Sequence, residues 1–328
     1  MKSGLNTELI KYKLEKDGFK TQSYKLIRSL LTDFFYSWND FMIELKKRHL
    51  PRSIIKEING FKMFLDLKND KGLSRDLYYY GKREIFLTNY LLTSNILKKG
   101  DAVLDIGANI GYYALLESRL VGENGRVYAI EPVSSSYENL IKNIELNNIK
   151  NIDCYNLGAG SYSGKALINV SKKRNWSSLI DRTGMHFFKK EEIEIVRMDD
   201  FLKGKKIPNL VRMDVEGYEY AILDGMQEVL GTKDLKLLIE IHPDIMTEKQ
   251  VQNMFVLLKN NGFKNAVIIF ELSRGWLNQK DKVRPIVKWL TEKIGDTERL
   301  GEIKETDMDS VEKFLLKERK STQVFFYN

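Results

Sequence analysis

The chain has 328 residues, 43% of them apolar, and a single cysteine, Cys154. That suffices for one large α/β domain with an appendage, excludes an internal disulfide and carries no compositional signature of disorder. A net charge of +8 and a pI near 9.1 admit an anionic partner without requiring one, because the lysines are scattered rather than clustered. No run of about 18 apolar residues occurs, and the first residues lack the continuous apolar core of a signal peptide. The expectation is a cytoplasmic chain with no transmembrane segment.

Residues 1–21 are polar and lysine-rich. From there Tyr24, Ile27, Leu31, Phe34, Trp38, Phe41 and Leu45 recur at spacings of three and four, which predicts one amphipathic helix over 22–48. Its apolar stripe can pack on the chain's own domain, pair in a homodimer, or lie on a membrane surface with Lys46, Lys47 and Arg48 at one end. Pro51 breaks the helix. We therefore expect a helical appendage over 1–55 and a catalytic domain over 56–328.

Residues 60–67 alternate like a half-buried strand, and 76–99 read as aromatic and then helical. The junction Tyr80-Gly81-Lys82-Arg83-Glu84 leads toward the next strand. Glu84 there either closes over a ligand or is a carboxylate favoured by a helix start.

The stretch 101–132, DAVLDIGANIGYYALLESRLVGENGRVYAIEP, reads as a β-α-β unit. A buried strand, Ala102 to Ile106, turns through Gly107, Ala108, Asn109 and Ile110 to Gly111. A helix starting near Tyr112 runs to Gly122, and a second strand ends on Glu131-Pro132. Glycines at such a turn let backbone approach a ligand, and the helix N-terminus offers free N–H groups. Glu131, at the end of the second strand, can accept both hydroxyls of a ribose. Two details favour S-adenosylmethionine over a dinucleotide. Asp105 sits where a carboxylate repels a pyrophosphate but suits the ammonium of a methionine, directly or through water. Asn109 stands in place of the middle glycine of G-x-G-x-x-G, hindering close pyrophosphate approach.

Further on, Ser135 and Glu138 form a plausible capping box, and 152–157 is a third strand ending on the turn Gly158-Ala159-Gly160, whose small residues leave room for an adenine. Residues 165–170 and 191–198 are two more strands. Between them Asn175-Trp176-Ser177-Ser178-Leu179 is either a lid or an ordinary packed loop. Asn209 to Gly217 is a strand and its carboxyl end, a helix spans 218–230, and 235–243 is the neighbouring strand. Thr247 and Gln250 cap the next helix, and strands follow at 264–272 and at Val324 to Tyr327.

Asp214, Glu216, Glu240 and His242 thus gather at the carboxyl ends of two strands, the edge where open α/β sheets bind ligands. His242 is the general base expected on titration grounds, with Asp214 or Glu216 orienting the acceptor or the imidazole. Alternatively, the same four residues could hold a divalent metal, which we do not predict. Or Asp214 and Glu216 cap the helix near Tyr218 and His242 is a buried, satisfied histidine.

The segments Asn59-Gly60-Phe61 through Glu84, VLDIGANIGYYALL, AIEP, RMDVEGYEYAILDG and LLIEIHP together resemble the FkbM-type S-adenosylmethionine-dependent methyltransferases over residues 58–272. The resemblance implies a Rossmann-like class I methyltransferase fold, a seven-stranded, mostly parallel sheet with an antiparallel last strand. It implies methyl transfer to a hydroxyl oxygen of a sugar, a lipid-linked sugar or glycan, or a small natural product. Asp105, Gly107, Ala108, Asn109, Gly111 and Tyr112 would hold the methionine and ribose side of the cofactor. Glu131 and Pro132 would bind the ribose, Gly158 and Ala159 would border the adenine, and Glu84 would close the site. An RNA-modifying methyltransferase is the alternative suggested by the basic pI, but the Asn-Pro-Pro-Tyr or Asp-Pro-Pro-Tyr motif of exocyclic-amine sites is missing and no appended RNA-binding motif occurs, so a nucleic-acid acceptor is not expected. A cofactor-binding scaffold without turnover is the third reading.

Overall fold

The computed structural model describes residues 50–172, 176–180, 187–270 and 303–328. Internal contacts divide the chain into two units. One comprises Arg52–Arg83, Thr88–Ile269 and Lys304–Asn328 and carries the architecture below; the other, Met1–Pro51, Glu84–Leu87 and Phe270–Ile303, falls almost wholly outside the described residues. The predicted 22–48 helix, from Tyr24 to Leu45 and on to Arg48, lies outside them too, as does Asn175.

The domain opens with a hairpin, β1 (Ile54–Ile58) and β2 (Phe61–Leu65), paired antiparallel. Asn59 and Gly60 at its tip both have positive φ, +52° and +81°, the mirror-image turn for which Asn-Gly is the strongest sequence signal. Helices α1 (Leu73–Tyr80) and α2 (Ile85–Thr93) follow. The β-α-β unit is β3 (Ala102–Ile106), α3 (Tyr112–Val121) and β4 (Arg126–Ile130), and then come α4 (Ser134–Glu145) and β5 (Ile152–Tyr155). Three strands form a separate small sheet in the order β6-β8-β7: β6 (Gly158–Gly160), β7 (Gly164–Ser171) and β8 (Phe187–Arg197). The chain returns through α5 (Met198–Phe201), β9 (Leu210–Met213), α6 (Glu219–Asp224), α7 (Gln227–Leu230), β10 (Lys236–Ile241), α8 (Glu248–Asn260) and β11 (Asn265–Ile269), and it ends as β12 (Ile303–Asp307), α9 (Met308–Glu318) and β13 (Thr322–Tyr327).

The main sheet runs β12-β11-β13-β10-β9-β3-β4-β5. β10, β9, β3, β4 and β5 are mutually parallel, and β13 is antiparallel to both β10 and β11. This is the Rossmann-like class I methyltransferase arrangement that the sequence led us to expect. It has eight strands rather than seven, because β12 extends the edge next to β11. β3 is buried along its whole length, as a central parallel strand covered on both faces must be. Its neighbours are β4, which follows it in sequence, and β9, which comes more than a hundred residues later. Strand order reverses at β3, and that switch point is where open sheets of this kind bind ligands.

Four local expectations are corrected. Gly158-Ala159-Gly160 is a strand rather than a turn, parallel to β8 through Gly158↔Ile195 and Gly160↔Arg197. The Ser135/Glu138 capping box does not form: α4 starts at Ser134 behind Val133, and Ser134 donates its N–H to Glu191 Oε1 at 3.0 Å and its hydroxyl to the same oxygen. The single helix predicted over 218–230 is two short ones, α6 and α7. Neither Asp214 nor Glu216 caps α6, whose N-cap is Tyr218 without a side-chain bond. The Thr247/Gln250 capping box is present in both directions.

Candidate active site

A cleft of about 810 Å³, counting its open mouth, lies over the carboxyl ends of β3, β4 and β9. Its size is that of a small-molecule site. The floor is the β3–α3 turn, Gly107 to Asn109. Gly107 takes φ +84°, and both Gly107 and Ala108 donate their N–H groups to Ile130 O, at 2.9 and 3.0 Å. Asn109 is left-handed at φ +52°, a conformation that asparagine tolerates. Its Oδ1 is buried with no hydrogen-bond partner.

One wall is Glu131 with Pro132 and Val133. The Glu131 carboxylate is aimed by the backbone: Oε2 accepts from Asn109 N and Oε1 from Val133 N, both at 2.9 Å. An ionised carboxylate has about four lone-pair sites, and these two bonds fix its plane. The apolar end is built by Gly158, Ala159, Ile168 and Leu179. Gly158 and Gly160 are small for a different reason from the one expected. A Cβ on either would strike Ile193 or Ile195 at 2.9 or 2.6 Å, so their smallness serves β6–β8 packing, and Ala159 between them reaches the cleft.

The opposite wall is Ser177, Ser178 and Leu179. Ser178 bridges to Asn169 as an added ladder pair, and its hydroxyl donates to Glu216 O at 2.9 Å. The described part of the Trp-Ser-Ser segment is thus a tied-down wall. The mouth brings Tyr112 and Arg83 together: the Tyr112 hydroxyl donates to Arg83 O at 3.2 Å and accepts from Asn59 Nδ2 at 2.9 Å. Arg83 lines the cleft, whereas Glu84, the expected closure residue, belongs to the other unit.

Two other cofactor assignments move. Gly111 does not line the cleft. It is the left-handed N-cap of α3, and a Cβ there would meet Leu140 Cδ1 at 2.7 Å, so its work is to let α4 pack close. Asp105 is not a cleft residue either. It is fully buried and its Oδ1 accepts from Arg212 Nη1 at 2.8 Å, from the facing position in β9. The expected contact with a methionine ammonium is corrected to a buried ion pair, and on the neighbouring strand end it is Asp214, two residues after Arg212, that reaches the cleft.

Arg212 was not singled out from the sequence and organises this floor. It lies 4.0 Å from the Tyr113 ring centroid and 3.6 Å from Asp214 Oδ2. Glu117 of α3 is fully buried nearby, and neither of its oxygens has a hydrogen-bond partner. Burial first, then the Asp105 charge, push its pKa well above the usual carboxylate range, against the opposing pull of Arg212. Both effects favour the protonated form of Glu117 in the folded chain. A carboxyl with a raised folded pKa binds more protons folded than unfolded, so its contribution to stability is whole below the ordinary value and is lost as pH rises through the shifted one. Glu117→Gln is expected to flatten the decline of the urea midpoint that sets in as pH rises above the ordinary carboxylate range; an unaltered pH profile would show that Glu117 is not the titrating group.

All four residues expected to carry the chemistry come together. Asp214 and Glu216 line the cleft; Glu240 and His242 sit behind them. The chain bends sharply through Glu216, φ +54°, and Gly217, φ +102°. His242 is 3% exposed, and its Nδ1 lies 2.7 Å from Glu219 Oε1, which also accepts from Gly217 N at 2.9 Å. Its Nε2 is 3.5 Å from Glu216 Oε2 and 3.7 Å from Glu240 Oε1. Burial pulls the histidine pKa down, but Glu219, Glu240 and Glu216 together outweigh it and hold the ring well above its usual value. His242 with an ordinary pKa and open to an acceptor is therefore not what the fold provides, and Glu219, which fixes it, was missed. A helix-pattern glutamate offers no sequence signal for such a role. Asp214, Glu240 and His242 place one ligand atom each within 4.8 Å of one another, a geometry able to hold a metal ion. Cys154 stands apart: burial, with Asp153 and Asp105, pushes its thiol up to about 12, consistent with no catalytic part.

With the geometry in place, the chain can be set beside known proteins. Residues 105–264 match the Methyltransferase FkbM domain. Over 188 residues the chain is 24% identical to Methyltransferase 1 of Beauveria bassiana, covering 50% of this chain and 73% of that one. It is 24% identical over 208 residues to the hexuronic acid methyltransferase AglP of Haloferax volcanii, covering 62% and 80%. A shorter stretch of 56 residues is 46% identical to the protein-L-isoaspartate O-methyltransferase of Fervidobacterium nodosum, 17% of this chain and 28% of that one. Among solved structures, the methyltransferase FkbM of Methylobacillus flagellatus aligns over 78% of this chain and 51% of its own at TM-score 0.43 and 15% identity.

Proposed function

We propose that this chain, which carries an FkbM methyltransferase domain over residues 105–264, transfers the methyl group of S-adenosylmethionine to a hydroxyl oxygen of a sugar, a glycan or a small natural product. The observation that carries the reading is the convergence on one cleft of the Gly107–Asn109 turn, the backbone-aimed Glu131 carboxylate and the carboxylates of Asp214 and Glu216. The first two hold a nucleoside at the switch point of the sheet; the last two face the acceptor. Glu131 takes the ribose hydroxyls, the apolar end at Ala159, Ile168 and Leu179 takes the adenine, and the methionine lies along the turn. Methyl transfer from a sulfonium is an in-line displacement, so most of the rate comes from alignment. The acceptor hydroxyl must also lose a proton, and Asp214 and Glu216 are the groups placed to orient it and receive that proton. The likeness to a hexuronic acid methyltransferase supports a sugar as acceptor.

The test is label transfer from methyl-labelled S-adenosylmethionine into fractionated extract, with Glu131→Gln as the cofactor control. Label is expected in a glycan or small-molecule fraction as an alkali-stable methyl ether. Glu131→Gln, whose amide would turn a donor onto a backbone N–H, is expected to weaken cofactor binding by roughly 10- to 100-fold, the loss of one or two charge-assisted bonds. Alkali-labile label would mean a carboxyl acceptor, and nuclease-sensitive label a nucleic acid; either overturns the acceptor class. No binding of the methyl donor at all would overturn the whole reading.

A further inference from the structure

We propose that Asp214, Glu240 and His242 form a divalent-cation site at the back wall of the cleft, with Glu216 beside it and Glu219 as the residue that orients the imidazole. The liganding atoms of the first three lie within 4.8 Å of one another. Ions of this class bind oxygen at about 2.0–2.6 Å, so ligands on opposite sides of one ion are roughly 4–5 Å apart. These separations bring the three groups within reach of one shared ion.

His242 is what lifts this above a group of acids. The ring is 3% exposed. One nitrogen, Nδ1, is committed to Glu219 Oε1 at 2.7 Å. The other, Nε2, points among carboxylate oxygens at 3.5 and 3.7 Å, too far for a hydrogen bond. This is the carboxylate–histidine–metal arrangement: Glu219 accepts from Nδ1–H and fixes the ring, so that an ion displacing the Nε2 proton would take that nitrogen's lone pair. Glu219 is itself buried, anchored by Gly217 N, and its Oε2 has no partner. Glu240 has an orienting neighbour too, since its Oε2 accepts from Gln323 Nε2 at 2.7 Å across β10–β13. Three carboxylates, from Glu216, Glu219 and Glu240, surround the imidazole. One imidazole with several carboxylates suits a hard or borderline ion such as Mg²⁺ or Mn²⁺ rather than a soft one.

The site deepens the methyl-transfer reading and rests on it for its consequence: through Asp214 the ion would adjoin the acceptor hydroxyl and lower its pKa. Cation binding is tested without turnover. Mn²⁺ is titrated into the full chain without methyl donor, and free Mn²⁺ is followed by electron paramagnetic resonance. One Mn²⁺ per chain is expected, displaced by Mg²⁺. Glu219→Gln should weaken it roughly 10- to 100-fold, as outer-shell partners do, and Glu240→Gln at least as much. Binding of labelled S-adenosylmethionine reports whether each variant is folded. No depletion of free Mn²⁺ at about 1 mM, the weak end of protein cation sites, or binding indifferent to both substitutions, overturns the site. Methyl transfer that proceeds in EDTA with no Mn²⁺ bound rejects the metal and keeps the transferase. Mn²⁺ bound with no transfer from the methyl donor does the reverse.

Discussion

Gly107→Ala is expected to abolish measurable binding of S-adenosylmethionine and to destabilise the domain by several kcal/mol. Gly107 holds φ +84°, which costs an alanine roughly 1–2 kcal/mol on its own. The larger effect is steric. A Cβ at this position would sit 2.1 Å from the carbonyl oxygen of Asp214 and 3.1 Å from its carbon. Those are backbone atoms, and neither side can retreat. Gly107 N is tied to Ile130 O at 2.9 Å, and Asp214 N to Ile106 O at 3.1 Å, so the β3 turn and the end of β9 are pinned to the same sheet. Relief requires separating them, which displaces the floor of the cleft and the Asp214 carboxylate together. Gly111→Ala is the contrasting case. It has φ +88°, but its Cβ meets only the end of the Leu140 side chain at 2.7 Å, so a loss of about 1–2 kcal/mol with cofactor affinity kept within a few-fold is expected. Calorimetric titration with the methyl donor and urea unfolding separate the two. Wild-type affinity in Gly107→Ala would show that the turn does not form the cofactor floor.

Those two glycines mark where the sequence was legible. Gly107 and Gly111 together announced the β-α-β unit, because sharp turning and close approach need residues without Cβ, and strand alternation gave the parallel sheet. The individual duties of the two glycines were not separable, since one answers to Asp214 and the other to Leu140, both distant in sequence. Asp105 shows the same limit. A carboxylate inside an apolar strand is a visible anomaly that demands a partner. The ligand ammonium was the nearest candidate, whereas the partner is Arg212, 107 residues on, at the position that parallel register sets opposite. The gathering of Asp214, Glu216, Glu240 and His242 followed from placing two strand ends side by side. What no local pattern conveyed was Glu219, an acid in a helical stretch whose side chain turns inward to the histidine. The Asn-Gly of the first hairpin, by contrast, was readable and was passed over in favour of a single strand.

Arg212→Met is expected to cost about 3–5 kcal/mol near neutral pH, the penalty for stripping the partner from a buried ion pair. The methionine keeps much of the bulk against Tyr113 but none of the charge. Asp105, with no exposed surface, would then face Glu117 and Asp214 without a cation. Already in the intact domain, burial raises the Asp105 pKa against the pull of Arg212; without Arg212 it rises further and the group takes a proton. The sign of the pH dependence follows. Between the ordinary carboxylate value and the raised one, the folded variant binds more protons than the unfolded chain, so its stability falls as pH rises through that window. The gap between wild type and Arg212→Met should therefore be smallest near pH 4 to 5 and widen toward pH 8. Adding Asp105→Asn removes the charge that has lost its partner and should recover a substantial part of the loss at pH 8, a coupling that a double-mutant cycle by urea unfolding measures directly. Equal destabilisation at both pH values, or no recovery in the double variant, would show that Arg212 stabilises the floor by packing on Tyr113 rather than by neutralising Asp105.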